Sequence, residues 1–316
     1  MSVLVVVQAR TGSSRFPRKV LTDLAGQPML AVMLDRLITL TEDPERTLVV
    51  ATSDLACDDE IARVTAGKGL LAVRGSEQDV LARFGQALQA HPADLVVRLT
   101  ADCPLMDPAI VRQVLSVHES AGADYTSNTL ARTWPDGLDV EVMTADSLRW
   151  AIDHASASDE REHVTPYLLR HPRSFQFAQA VTAENVGDER WTVDVPEDLE
   201  VVRAALAGQD HARVGWEQIL ASVGRRAAPS RCRVVPIVEE SHHRGDPYCR
   251  VWSLDLGPDE SGRAEVTVDE GGRARLVMSV SSSRSDLARA AVRDRLHADL
   301  QVTDLADDAA AWLRRR

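Results

Sequence analysis

The chain has 316 residues, enough for one large domain with a small one or for two domains. Its 44% hydrophobic and 27% charged residues fit a soluble globular protein, and no apolar run approaches the roughly 20 residues that span a bilayer. A formal net charge of −12 argues against a nucleic-acid backbone as partner, yet allows a small anion held by a local basic pocket and a divalent metal.

The start lacks the cation-then-apolar layout of a signal peptide, so cytoplasm is the expected location, with no membrane partner. Cys57, Cys103, Cys232 and Cys249 show no zinc-ligand spacing and are expected to be reduced, mostly buried thiols.

Val3 to Val7 is an unbroken apolar run, the pattern of a strand buried on both faces in a parallel sheet. It empties into a loop holding Gly12, Ser13, Ser14, Arg10, Arg15, Arg18 and Lys19. Small residues let backbone N–H groups approach an anion and the cations neutralise it, so this loop reads as a triphosphate cradle. Lys19 stands out because only it and Lys68 are lysines.

A helix follows at Met29–Leu40, then strands at Arg46–Ala51, Leu70–Val73 and Asp94–Leu99, separated by helices at Asp58–Ala66 and Asp79–Ala90. Asp107 and Pro108 are set as N-cap and first residue of another helix. This alternation predicts a doubly wound, mostly parallel α/β sheet. Beyond it come an irregular stretch at 124–142 whose end alternates like a strand, a helix at 146–154 and a strand near Phe175–Ala180. Arg190–Val195 alternates as a strand does, and a helix opens at Pro196 and runs to about Ala207.

Gly224–Ser230 reads as a linker, placing a catalytic domain at 1–225 and a small α+β domain at 231–316. The latter is expected to hold strands at 232–238, 249–256, 264–269 and 274–280, with a hairpin turn at Glu270-Gly271-Gly272. A helix at about 284–298 and a helical tail to Arg316 complete it.

A triphosphate calls for a divalent cation, and Mg²⁺ takes one or two carboxylates besides phosphate oxygens and water. Asp102 follows the DLVVRL strand and Asp194 ends RWTVDV, so both can meet at the sheet's carboxyl edge as metal ligands. Asp139 with Glu141, or Glu162 with His163, can bind a second substrate or move a proton.

QARTGSSRFPRKVL at 8–21 resembles the nucleotide signature of the sugar cytidylyltransferases, the CMP-sialic acid and CMP-Kdo synthetase group, and above all their spore-coat polysaccharide relatives. Further matching blocks follow in order: VVATS at 49–53, RGSEQDVLARF at 74–84, VRLTADCPLMDP at 97–108, PDGLDVEV at 135–142, EREHVTPY at 160–167 and TVDVPEDLEVV at 192–202. The resemblance implies a GT-A-like fold, transfer of CMP from CTP to an acceptor oxygen with release of pyrophosphate, and a homodimer.

It implies that Arg15, Lys19, Asp102 and Asp194 are catalytic, the two acids on Mg²⁺. It assigns Gln8, Ala9, Arg10, Gly12, Ser13, Ala51, Thr52, Ser53, Arg74, Ser76, Asp79, Arg83 and Thr100 to the nucleotide. Asp136, Asp139, Glu141, Glu162 and His163 fall to a small anionic acceptor. Phe16 and Arg18 stand where that family usually has Leu and Gly, and Ala101 where it has Gly. A glycosyltransferase consuming a nucleotide sugar, and a non-catalytic nucleotide-binding protein, remain open.

Overall fold

In a computed structural model of the chain, the residues described are 1–130, 132–182 and 185–223, with the strands 233–237, 248–257, 260–268, 274–280 and 305–307. The chain divides into two compact units, Met1–Ala228 and Pro229–Arg316.

The first unit runs β1 (Val3–Gln8), β2 (Asp23–Leu24), β3 (Gln27–Pro28), α1 (Met29–Leu37), β4 (Arg46–Ser53), α2 (Asp59–Gly67), β5 (Leu71–Gly75), α3 (Val80–Ala90) and β6 (Leu95–Thr100). It continues with α4 (Pro108–Ala121), β7 (Tyr125–Ser127), β8 (Glu141–Thr144), α5 (Ala145–His154), α6 (Ser158–His163) and α7 (Pro166–Arg170). Then come β9 (Phe177–Gln179), α8 (Pro196–Leu206) and α9 (Trp216–Ser222). Seven strands form one sheet in the order β5-β4-β1-β6-β8-β7-β9. β5, β4, β1 and β6 are parallel, and β8 enters antiparallel to both β6 and β7.

β1 is apolar from Val3 to Val7 because helices cover both its faces. Val3, Val5 and Val7 join the core shared with Met33 and Val111, whereas Leu4 and Val6 face Val80, Leu81 and Phe84. The chain passes from β1 out to β4 and β5, then returns to the other side of β1 as β6. That reversal opens a crevice at the carboxyl ends of β1 and β6, where α/β sheets bind ligands.

Arg190–Val195, expected as a strand, is not one: it makes a single parallel bridge, Asp136 to Arg190. Its alternation reflects burial of Trp191 and Val193, not strand pairing. Asp139 lies before β8, not on it.

The second unit holds the sheet β10 (Arg233–Ile237), β11 (Tyr248–Gly257), β12 (Glu260–Val268), β13 (Ala274–Val280) and β14 (Leu305–Asp307). Its first four strands pair antiparallel in sequence order. β14 pairs parallel with β13, so the expected helical tail is strand at 305–307. The linker 224–230, the turn at 270–272 and the helix at 284–298 lie outside the described residues.

Candidate active site

The loop after β1 is anchored by a residue the sequence did not single out. Asp58, buried, accepts from Thr11 N and Oγ1 (2.9 and 2.5 Å), Ser53 Oγ (2.5 Å) and Thr52 Oγ1 (3.3 Å). Burial raises its pKa, but these hydrogen bonds outweigh that and hold it below the usual carboxylate range. Thr52 and Ser53 therefore tie the end of β4 to the cradle loop. Ala9 N donates to Ala51 O at 3.0 Å, and a Cβ on Gly12 would stand 2.8 Å from Glu77 Oε1. Ser13 N donates to Thr11 O (2.9 Å). Arg18 adopts φ 60°, a left-handed conformation that glycine adopts at less cost.

Lys19 is the hub of the loop. Its buried ammonium donates to Asp102 Oδ2 (3.0 Å), Asp194 Oδ1 (2.9 Å) and the Val193 carbonyl (2.7 Å), which uses all three of its N–H bonds. Asp194 reaches Asp102 because the extended segment before it lies across the end of β6, with Val193 N on Asp102 O at 2.8 Å. Trp191 N and Thr192 N both donate to Asp136 O. That approach requires Gly137, at φ 109°, since a Cβ there would meet Thr192 N at 2.6 Å.

Burial raises the Asp194 pKa, but Lys19 and Arg190 together hold it below the ordinary value, so it stays ionised. Arg15, 64% exposed, reaches Asp194 at 3.1 Å. Arg190, absent from the sequence assignment, links Asp194 (3.0 Å), Asp136 (3.2 Å) and Asp198 (3.2 Å).

The remaining assignments divide. Arg10 pairs with Glu162 at 2.9 Å, while the adjacent His163 is exposed. Arg74 is spent on Ser53 O, Leu55 O and Asp59. Asp79 caps α3 through Ala82 N and binds Arg161, so it acts on the helix more than on the crevice. Ser76 is exposed beside it and Arg83 is fully buried. Thr100 closes β6, with Oγ1 3.4 Å from Cys103 Sγ. Cys103 is buried, as expected, but Cys57 is exposed.

On the acceptor side, Glu141 is buried and bonded to Arg98, to the Tyr125 hydroxyl and to Thr165 Oγ1. Asp139 forms a two-pronged pair with Arg132. Arg98, Thr100, Thr129, Arg132, Asp139 and Glu141 line a cavity of ≈ 260 Å³. Arg98 and Arg132 were not foreseen, since an arginine inside a strand or a loop carries no local signal of its partner. Val164, at φ 73°, holds the turn that sets Glu162 on Arg10 and Thr165 on Glu141, a costly conformation for a β-branched residue.

A family model described as cytidylyltransferase matches residues 4–214. The chain belongs to the cytidylyltransferase family.

This cytidylyltransferase is 34% identical over 208 residues to the spore coat polysaccharide biosynthesis protein SpsF of Bacillus subtilis (strain 168), covering 64% of this chain and 85% of that protein. It is 30% identical over 247 residues to the 3-deoxy-manno-octulosonate cytidylyltransferase of Anaeromyxobacter dehalogenans (strain 2CP-1), covering 65% and 98% respectively. Among solved structures, a cytidylyltransferase from Leptospira borgpetersenii serovar Hardjo-bovis superimposes with a TM-score of 0.66 at 27% identity, over 71% of this chain and 94% of that one.

The carboxylates of this cytidylyltransferase fit a divalent ion. Asp102 and Asp194 converge on one cationic centre, and hard carboxylate oxygens suit Mg²⁺. No group of three His, Cys, Asp or Glu side chains is arranged for a metal among the described residues. Two protein ligands are the number that suits a metal completing its shell with phosphate oxygens.

Proposed function

We propose that this nucleotidyltransferase moves CMP from CTP to a small anionic acceptor, with Mg²⁺ and release of pyrophosphate. The observation that carries the reading is the convergence of Asp102 and Asp194 on Lys19 at the carboxyl edge of the sheet, beside a cationic loop. Asp102 and Asp194 would hold the metal, which when bound supplies charge stabilisation to the phosphates. Arg15, exposed at the loop's edge, meets the triphosphate and supports the departing pyrophosphate, with Arg10 beside it. Lys19 holds the two carboxylates in register.

The acceptor enters the cavity bounded by Arg98 and Arg132, whose guanidiniums suit an acidic sugar, sugar phosphate or phosphonate, while Asp139 and Glu141 take its hydroxyls. An acceptor oxygen then attacks the α-phosphorus in line. Two copies pair through the 124–190 segment, where Trp150 is 51% exposed.

Asp102→Asn and Asp194→Asn are each expected to lower Mg²⁺-dependent pyrophosphate release from CTP by on the order of 10²–10³. Normal turnover by both variants would remove the metal assignment.

A further inference from the structure

The two oxygens of Asp194 have different partners. Oδ1 accepts from the Lys19 ammonium (2.9 Å), which also donates to Asp102 Oδ2 (3.0 Å), so these two oxygens converge on one point. Oδ2 accepts instead from Arg190 Nη2 (3.0 Å) and pairs with Arg15 (3.1 Å). The carboxylate torsion of an aspartate is broad and roughly two-fold, so the residue's own geometry does not decide which oxygen turns to Asp102. Its partners decide it.

Of the two arginines on Oδ2, Arg190 is the one the fold anchors. Asp136 N donates to Glu189 O (2.8 Å), Trp191 N donates to Asp136 O (2.6 Å), and Asp136 and Arg190 form a parallel bridge. The Arg190 guanidinium then reaches Asp136 Oδ2 with Nη1 (3.2 Å) and Asp198 Oδ2 with Nη2 (3.2 Å). Arg15 is 64% exposed and belongs to the triphosphate in the reading above, which leaves the carboxylate to Arg190.

Asp198 completes the frame. It sits in the first turn of α8 and accepts from Asp194 N (2.8 Å) and Val195 N (3.0 Å). Burial raises its pKa, but the hydrogen bonds from Arg190 and from these two N–H groups outweigh that and hold it below the ordinary value. Asp198 thus fixes the backbone of Asp194 while Arg190 fixes its side chain, and the two are paired with each other. A planar guanidinium fork serves three carboxylates at set angles, where an ammonium is a point charge on a flexible stem.

We propose that Arg190 is a positioning residue for the divalent metal. It fixes the rotation of the Asp194 carboxylate, so that Oδ1 stays turned to the point that Asp102 Oδ2 also faces, and it thereby sets the affinity for the ion. Partners of this kind orient metal-binding side chains and commonly govern how tightly the metal is held. The positive charge of Arg190 opposes a divalent ion, but three carboxylates within 3.2 Å answer that charge, so orientation outweighs repulsion. The proposal rests on the metal-dependent reading above.

Calorimetric binding of CTP to the full-length protein, with Mg²⁺ and again in EDTA, without acceptor, tests it. The quantity read is the metal gain, the affinity with Mg²⁺ divided by the affinity in EDTA. Arg190→Gln is expected to cut the wild-type gain by roughly tenfold or more, the usual effect of removing a partner of a metal ligand. Arg190→Lys, which keeps the charge without the fork, is expected to fall between. An unchanged gain in Arg190→Gln overturns the proposal: with both affinities intact Arg190 is a bystander, and with both lowered alike it is a ligand of the triphosphate itself. A larger gain makes it only a competing charge, and overturns the proposal too. A wild type whose CTP affinity ignores Mg²⁺ overturns the metal reading and this proposal with it, whereas a wild-type gain that survives in Arg190→Gln overturns this proposal alone.

Discussion

At the scale of single residues, chemistry is set by what surrounds each titratable group. His118, 2% exposed with Nδ1 2.9 Å from Thr126 Oγ1, is pushed from 6.5 down to about 4 by burial, against the opposing pull of Asp124. It is therefore neutral in the fold, while in the unfolded chain it takes up a proton near its ordinary value. Between pH 6.5 and about 4 the unfolded chain binds more protons, so stability falls as the pH drops through that window. The full loss is on the order of 3 kcal/mol. Urea unfolding of wild type and His118→Asn across that range is expected to show a steeper decline for the wild type; parallel curves would mean that His118 is charged in the fold. Residue types at the site could be read from the sequence, because cations and carboxylates fall at strand ends. Their partners could not. Lys19 looks like a phosphate ligand in sequence, yet its ammonium joins Asp102 to Asp194 across 83 and 175 residues.

At the scale of elements, capping and alternation carry different amounts of information. Asp107, 6% exposed, accepts from Ala109 N (2.7 Å) at the start of α4 and from Trp216 N (2.9 Å) at the start of α9. Its capping role was legible from Asp-Pro, but its grip on α9, 109 residues away, was not. Asp107→Ala removes a cap and strands a buried N–H, and is expected to cost about 2 kcal/mol in urea unfolding. A loss below about 0.5 kcal/mol, well under the usual cost of a lost cap, would show that water serves both donors equally well. β1 and β4 were readable because each carries an apolar run buried on both faces, whereas β5, at the sheet's edge, is only partly buried. Arg190–Val195 misled because apolar residues at alternate positions do not by themselves mean strand pairing, and a chain laid across a sheet's end buries Trp191, Thr192 and Val193 alike without it.

At the scale of the molecule, the crevice exists because the chain reverses direction beside β1, setting the cradle loop opposite Asp102. All the residues assigned to nucleotide and acceptor lie within Met1–Ala228, itself a compact unit. The fragment 1–228 is accordingly expected to unfold cooperatively and to bind CTP as tightly as the full chain. A fragment that folds but has lost CTP binding would assign part of the nucleotide site to the C-terminal unit. The account as a whole stands on one assay: pyrophosphate release with Mg²⁺, each of the four NTPs in turn, and a pooled panel of acidic sugars, sugar phosphates and phosphonates. Release with CTP alone, abolished by a chelator, is the predicted result. Release with another NTP in preference to CTP, or release undiminished by the chelator, would contradict it.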